Sequence, residues 1–108
     1  PAARGAPMKP ILPAGLKAYK RTPIFDEHTL PAGLRREHRT KAGVWALIHV
    51  TYGALRYRVL DPFHEEILTK ERPGVVWPGQ LHEVEPVGPV GVFVEFFAED
   101  RAGPNPQT

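Results

Sequence analysis

The sequence predicts an all-β fold, one domain of about eight short strands forming a sandwich or barrel. Three observations carry this. Proline and glycine number 13 and 10 in 108 residues, and they fall between short apolar runs rather than in one block. "ALRYRVL" at 54–60 alternates, with Leu55, Tyr57 and Val59 on one face and Arg56 and Arg58 on the other. "VWALIHVTY" at 44–52 is almost wholly apolar, aromatic or β-branched, as a strand covered on both faces would be.

The elements follow in order. Residues 1–12 contain no periodicity and read as a loose arm, with Met8 a candidate natural start. A domain over 13–98 comes next, and a polar tail over 99–108. "LKAYKRTPIF" (16–25) is extended and interrupted by Pro23; "LRREHRT" (34–40) puts Leu34, Arg36, His38 and Thr40 on one face. Gly53 is expected to turn the chain between the strands 44–52 and 54–60. "HEEIL" (64–68), "VVW" (75–77), "LHEVEP" (81–86) and "VFVEFFA" (92–98) complete the set, with "VGPVG" turning the last two into a hairpin. The one helical attempt, "EHTLPAGLRREH", is broken by Pro31 and Gly33.

Composition excludes several classes of function. Cysteine is absent, which removes disulfides, thiolate nucleophiles and cysteine zinc sites. Serine is absent too, so a serine nucleophile is excluded. No apolar run approaches the roughly 20 residues of a membrane helix, and no secretory leader is evident, so cytoplasmic location is the default expectation. Fourteen Lys/Arg against twelve Asp/Glu is near balance. The basic runs 17–21 and 35–41 read as solvated strand edges, and a nucleic-acid partner is not expected.

Five histidines are present. His28 and His64 lie among acids and read as exposed. His49 alternates with Ala46, Ile48 and Val50 and reads as an outward or interface residue. His38 and His82 differ, because each shares a face with apolar or small residues. A histidine entering a core must satisfy two ring nitrogens, through a metal on one and an acceptor on the other, or through hydrogen bonds alone.

Two segments together resemble the cupins, small jelly-roll β-barrels. "PGVVWPGQLHEVEP" supplies Gly74, the Pro78-Gly79 turn and then His82, as the second cupin motif does. It departs in having Pro and Gly adjacent, and in Pro86 where an Asn belongs. "EHRTKAGVWALIHVTYG" supplies His38 and the closing Gly53 of the first motif. Thr40 stands in place of its second His, and Val44 or Trp45 in place of its Glu. Over residues 13–98 the chain is similar to the YeaR-like and TehB-associated small cupins, a group sometimes named for tellurite resistance. The resemblance implies a metal site that keeps His38 and His82 of the usual four ligands. Zinc, iron or nickel is the expected divalent ion. In fused members this domain precedes a methyltransferase, and no Gly-rich nucleotide loop occurs here.

If 81–86 and 92–98 form a hairpin, His82 lies across from Val94 with a three-residue loop or from Glu95 with a four-residue loop, which makes Glu95 a candidate third ligand or a hydrogen-bond acceptor behind the ligands; the competing reading points Glu95 outward to a Lys or Arg. Arg36, on the His38 face, is a candidate to hold an anionic ligand. The expected function is then a small stress-linked protein that binds a metal or small anion without turnover. Two alternatives stand beside it: a dioxygenase- or isomerase-like enzyme using His38 and His82, and a homodimerising module with the apolar strand 44–52 as its contact.

Overall fold

The computed structural model describes residues 12–36 and 39–99; the arm up to Ile11, the tail from Asp100, and Glu37 and His38 lie outside them. Six strands and one short helix are described: β1 (Leu16–Arg21), β2 (Phe25–Asp26), α1 (Ala32–Arg35), β3 (Trp45–Leu60), β4 (Phe63–Leu68), β5 (Gly74–Val76) and β6 (His82–Glu99). The all-β expectation holds. All six strands belong to one antiparallel sheet with the main order β1-β6-β3-β4, with β2 added to β6 and β5 to β3. The six strands form one sheet that does not close into a barrel.

The largest departure concerns Gly53 and "VGPVG". Neither makes a turn. β3 and β6 run through them as one long ribbon, paired from Trp45↔Phe97 to Val59↔His82. Gly53 and Gly88 take φ of 79° and 77°, and the register shifts there, with Gly53↔Val90 followed by Ala54↔Val87. Gly88 and Pro89 are thus extra residues of a bulge, where proline sacrifices no ladder bond. The Val90 amide instead donates to Glu27 Oε1 at 3.0 Å, and that bond holds the Glu27 carboxyl below its usual range.

The bulge folds the ribbon over. Ala46 and His82 lie at opposite ends of it, about 40 Å apart if the strand were straight, yet both line one cavity. The core is the concave face: Ala46, Ile48 and Val50 with Val92 and Val94 from one half, Leu55, Tyr57, Leu68 and Val84 from the other. Leu30 and Leu34, before and within α1, cover it from the side. The convex face of β3 and β6 carries Trp45, Leu47, His49, Phe93 and Glu95, half-buried. Of the expected strand 34–40, Leu34 and Arg35 belong instead to α1: Pro31 precedes it with φ of −58° and ψ of 139°, Arg36 ends it in extended backbone, and Glu37 and His38 lie outside the described residues.

Candidate functional site

The His82 site begins with a turn. Pro78 presets φ at the second position, and Gly79 takes φ of 72° at the third. The Gln80 amide donates to the Trp77 carbonyl at 3.1 Å and closes it as a type II turn. Thr40 locks the turn from outside, its hydroxyl donating to the Trp77 carbonyl at 3.2 Å and accepting from the Gly79 amide at 3.1 Å. Arg39 Nη1 donates to the Gly79 carbonyl at 3.0 Å. The strand that leaves the turn therefore starts with His82 aimed inward, 3% exposed.

The ring is oriented by its own segment. His82 Nδ1 lies 2.9 Å from the Gln80 carbonyl oxygen, which can only accept. Nδ1 of the neutral ring thus carries the proton, and Nε2 carries the lone pair, as in a metal-bound histidine. The edge of the ring meets Tyr57, with centroids 5.9 Å apart. Tyr57 is buried, its hydroxyl donating to the Val75 carbonyl at 2.8 Å, and burial raises its phenol far above the ordinary value.

His82 and Thr40 are the polar lining of an otherwise apolar cavity bounded by Leu30, Ile48, Leu55 and Val84. Its volume is about 20 Å³, room for one water or one ion. A divalent cation takes about four donors. Among the described residues, no group of three histidine or carboxylate side chains is placed to hold one, and the cavity offers one imidazole and one hydroxyl. The described residues therefore do not form a metal site by themselves. His38, two residues before Thr40, lies outside the described residues.

Glu95 is not brought to His82. Because β6 is continuous, the two lie end to end along one strand rather than across a hairpin. Glu95 faces outward, where its carboxylate meets His49 Nε2 at 2.9 Å. His49 stacks on Phe93, centroids 4.6 Å apart, and the Arg21 guanidinium lies 4.8 Å over the same Phe93 ring. The outward reading of His49 holds. The partner of Glu95 is that histidine rather than a Lys or Arg.

Arg36 lies on the other side of the cavity wall. With Arg35, Arg58 and Glu85 it lines an open cleft of about 410 Å³ between α1 and β6, floored by Ala32 and Val84. Val84 also lines the His82 cavity, so one side chain separates the two spaces. Arg58 is already engaged, bonding Glu65 at 2.9 Å, Glu83 at 3.0 Å and Glu85 at 2.9 Å, and these bonds raise its pKa. Arg35 and Arg36 are exposed and make no ion pair among the described residues. Sequence reasoning singled out Arg36 but not Arg35, Arg58 or Tyr57. Arg56-x-Arg58 against Glu83-x-Glu85 was a usable signal, since matching period-two charges mark cross-strand partners.

Among the described residues no helix is long and apolar enough to cross a membrane. Comparison with known proteins gives three results. No curated protein matches the chain. In fold it is similar to TehB from Haemophilus influenzae, with a TM-score of 0.73 and 26% identity over 80% of this chain, but it covers only 32% of TehB. It is also similar in fold to a protein from Escherichia coli K12, with a TM-score of 0.77 and 21% identity, over 86% of this chain and 100% of that one. A family model described as the TehB-like domain matches residues 20–94, well over half the chain, and the chain therefore belongs to the TehB-like domain family.

Proposed function

We propose that this TehB-like domain is a non-catalytic binding module for a small oxyanion, linked to tellurite resistance, with the cleft at Arg36 as its site. The observation that carries this reading is the convergence of Arg35, Arg36 and Arg58 on one open cleft. A planar guanidinium presents paired N–H donors that match an oxyanion, and two of the three have no carboxylate partner among the described residues. The carboxylate in the cleft, Glu85, is engaged by Arg58 at 2.9 Å, which favours binding over turnover. The finer assignment, an eroded cupin of the YeaR-like group, is supported by His82 following the Pro78-Gly79 turn.

Calorimetric titration with potassium tellurite, with sulfate in parallel, tests the reading. Binding is expected to weaken at least tenfold in Arg36→Gln, about 1.4 kcal/mol, and to weaken with added salt. Affinity unchanged by Arg36→Gln, or no heat with either anion, rejects it. Unaltered tellurite tolerance in a strain lacking the protein removes the tellurite link.

A second reading, a divalent metal held by His38 and His82, is favoured by the carbonyl that leaves His82 Nε2 as the lone-pair nitrogen. Elemental analysis of the purified protein checks it. Stoichiometric zinc, iron or nickel is expected in the wild type and lost in both His38→Ala and His82→Ala; metal retained in either variant, or absent from the wild type, refutes it. A metal-dependent enzyme would need this reading to survive first.

A further inference from the structure

Strand 44–52, the expected dimer contact, forms most of the first half of β3, which pairs with β6 on one side and, at Ala46, Leu47 and Ile48, with β5 on the other. The outer strands of the main path are β1 and β4, and they differ. β1 has a register break between Ala18 and Lys20, carries Lys17, Lys20 and Arg21, and is soon followed by Pro23. Lysines, bulges and nearby prolines discourage another strand from adding to an edge. β4 carries no lysine within it and no bulge, although Pro62 directly precedes it. Its six residues, "FHEEIL", pair with β3 in unbroken register. Phe63 and Ile67 stand on the convex face, 65% and 40% exposed.

We propose that β4 docks a second copy of this chain, its β4 pairing antiparallel with the partner's about a two-fold axis through Glu65. A two-fold axis perpendicular to the sheet keeps each face on its own side, so only residues of equal parity meet. With the axis at Glu65, Phe63 meets the partner's Ile67, which covers the two exposed apolar side chains of this strand. His64 meets the partner's Glu66 on the concave face, an acid opposite a histidine. Within one chain His64 Nε2 already lies 3.4 Å from Glu66 Oε2, so both side chains are near the edge. The two copies of Glu65 face each other across the axis, each held by its own Arg58 at 2.9 Å and Arg56 at 3.6 Å. Those guanidiniums reduce the like-charge repulsion.

The absence of cysteine makes the register directly testable. Paired residues have Cα atoms about 4.5–5.5 Å apart, within disulfide reach. Glu65→Cys is expected to form a disulfide-linked dimer on mild oxidation. Ile67→Cys is not, because its symmetry mate lies about 13 Å farther along the strand. Sedimentation equilibrium of the wild type at about 0.1 mM should give twice the chain mass. Ile67→Lys should give the monomer mass with an unchanged circular dichroism spectrum. A wild-type monomer at that concentration, a dimer that persists in Ile67→Lys, or crosslinking through Glu66→Cys in place of Glu65→Cys each overturns the proposal.

Discussion

Gly53→Ala should cost the protein about 3 kcal/mol or more. Gly53 has φ of 79°, in the left-handed region, and a Cβ built there runs into the Pro89 carbonyl oxygen and within 3.0 Å of the Val90 Cα. Both obstacles are backbone, so no side-chain rotation relieves them. The register break at Gly53 is also where the ribbon folds over, and the clash opposes the contact between its halves. The thermal midpoint, followed by circular dichroism, should fall by about 15 °C. Gly33→Ala is the control. No atom lies within 4 Å of its Cβ, and it sits inside α1, so it should be neutral or slightly stabilising. Midpoints within a degree or two of each other for the two variants would contradict the bulge described above.

Tyr57 carries the second large effect. It is 1% exposed, touches His82 edge-on and bonds the Val75 carbonyl. Tyr57→Ala should cost about 3–5 kcal/mol through lost contacts and the cavity left behind. Tyr57→Phe keeps the ring, removes one bond, and should cost about 1–2 kcal/mol. Their pH dependence separates the two terms. Burial first, and then the Glu66 carboxylate, raise the Tyr57 phenol well above its ordinary 10.0. The unfolded chain releases this proton near pH 10 while the folded protein retains it. Stability from this group is thus complete below about pH 10 and declines as pH climbs toward the folded value. Urea midpoints from pH 8 to pH 11 should fall less for Tyr57→Phe than for the wild type. Parallel curves for the two proteins would remove Tyr57 as a source of alkaline instability.

Much of the architecture was legible because period-two alternation is a direct consequence of the pleat. It located the faces of 44–52 and 54–60, put His49 outward, and placed His82 beside Val84 in the core. The Pro78-Gly79 turn was equally readable, because proline and glycine meet the two φ requirements of a type II turn. The bulges were not readable. A glycine with positive φ serves a hairpin turn and a bulge alike, and nothing within 51–55 or 86–92 separates the two uses. From that one ambiguity came both the barrel of eight short strands and the pairing of His82 with Glu95. The helix at 32–35 lies within the stretch 27–38, which reads as a broken helix: Pro31 and Gly33 look like breakers, whereas Pro31 stands just before the helix, and four residues are too few for a hydrophobic period to appear. The Arg36 cleft was half legible. The residue type suggested an anion, but the companions Arg35 and Arg58 depend on how α1 lies against β6.

The long ribbon also dictates an order of assembly. Its partners are 23 residues apart in sequence at Val59 and His82, and 52 apart at Trp45 and Phe97. Closing the shorter span costs about 0.7 kcal/mol less chain entropy. Pairing should therefore nucleate beside the Pro78-Gly79 turn and zip toward the termini, with the His82 end native before the Trp45 end has found its mate. With most contacts among the described residues long-range, the β3–β4 hairpin being the main local exception, the chain belongs among slow, millisecond-to-second folders. Substitutions near Val59 should retard refolding, while those near Phe97 should chiefly hasten unfolding.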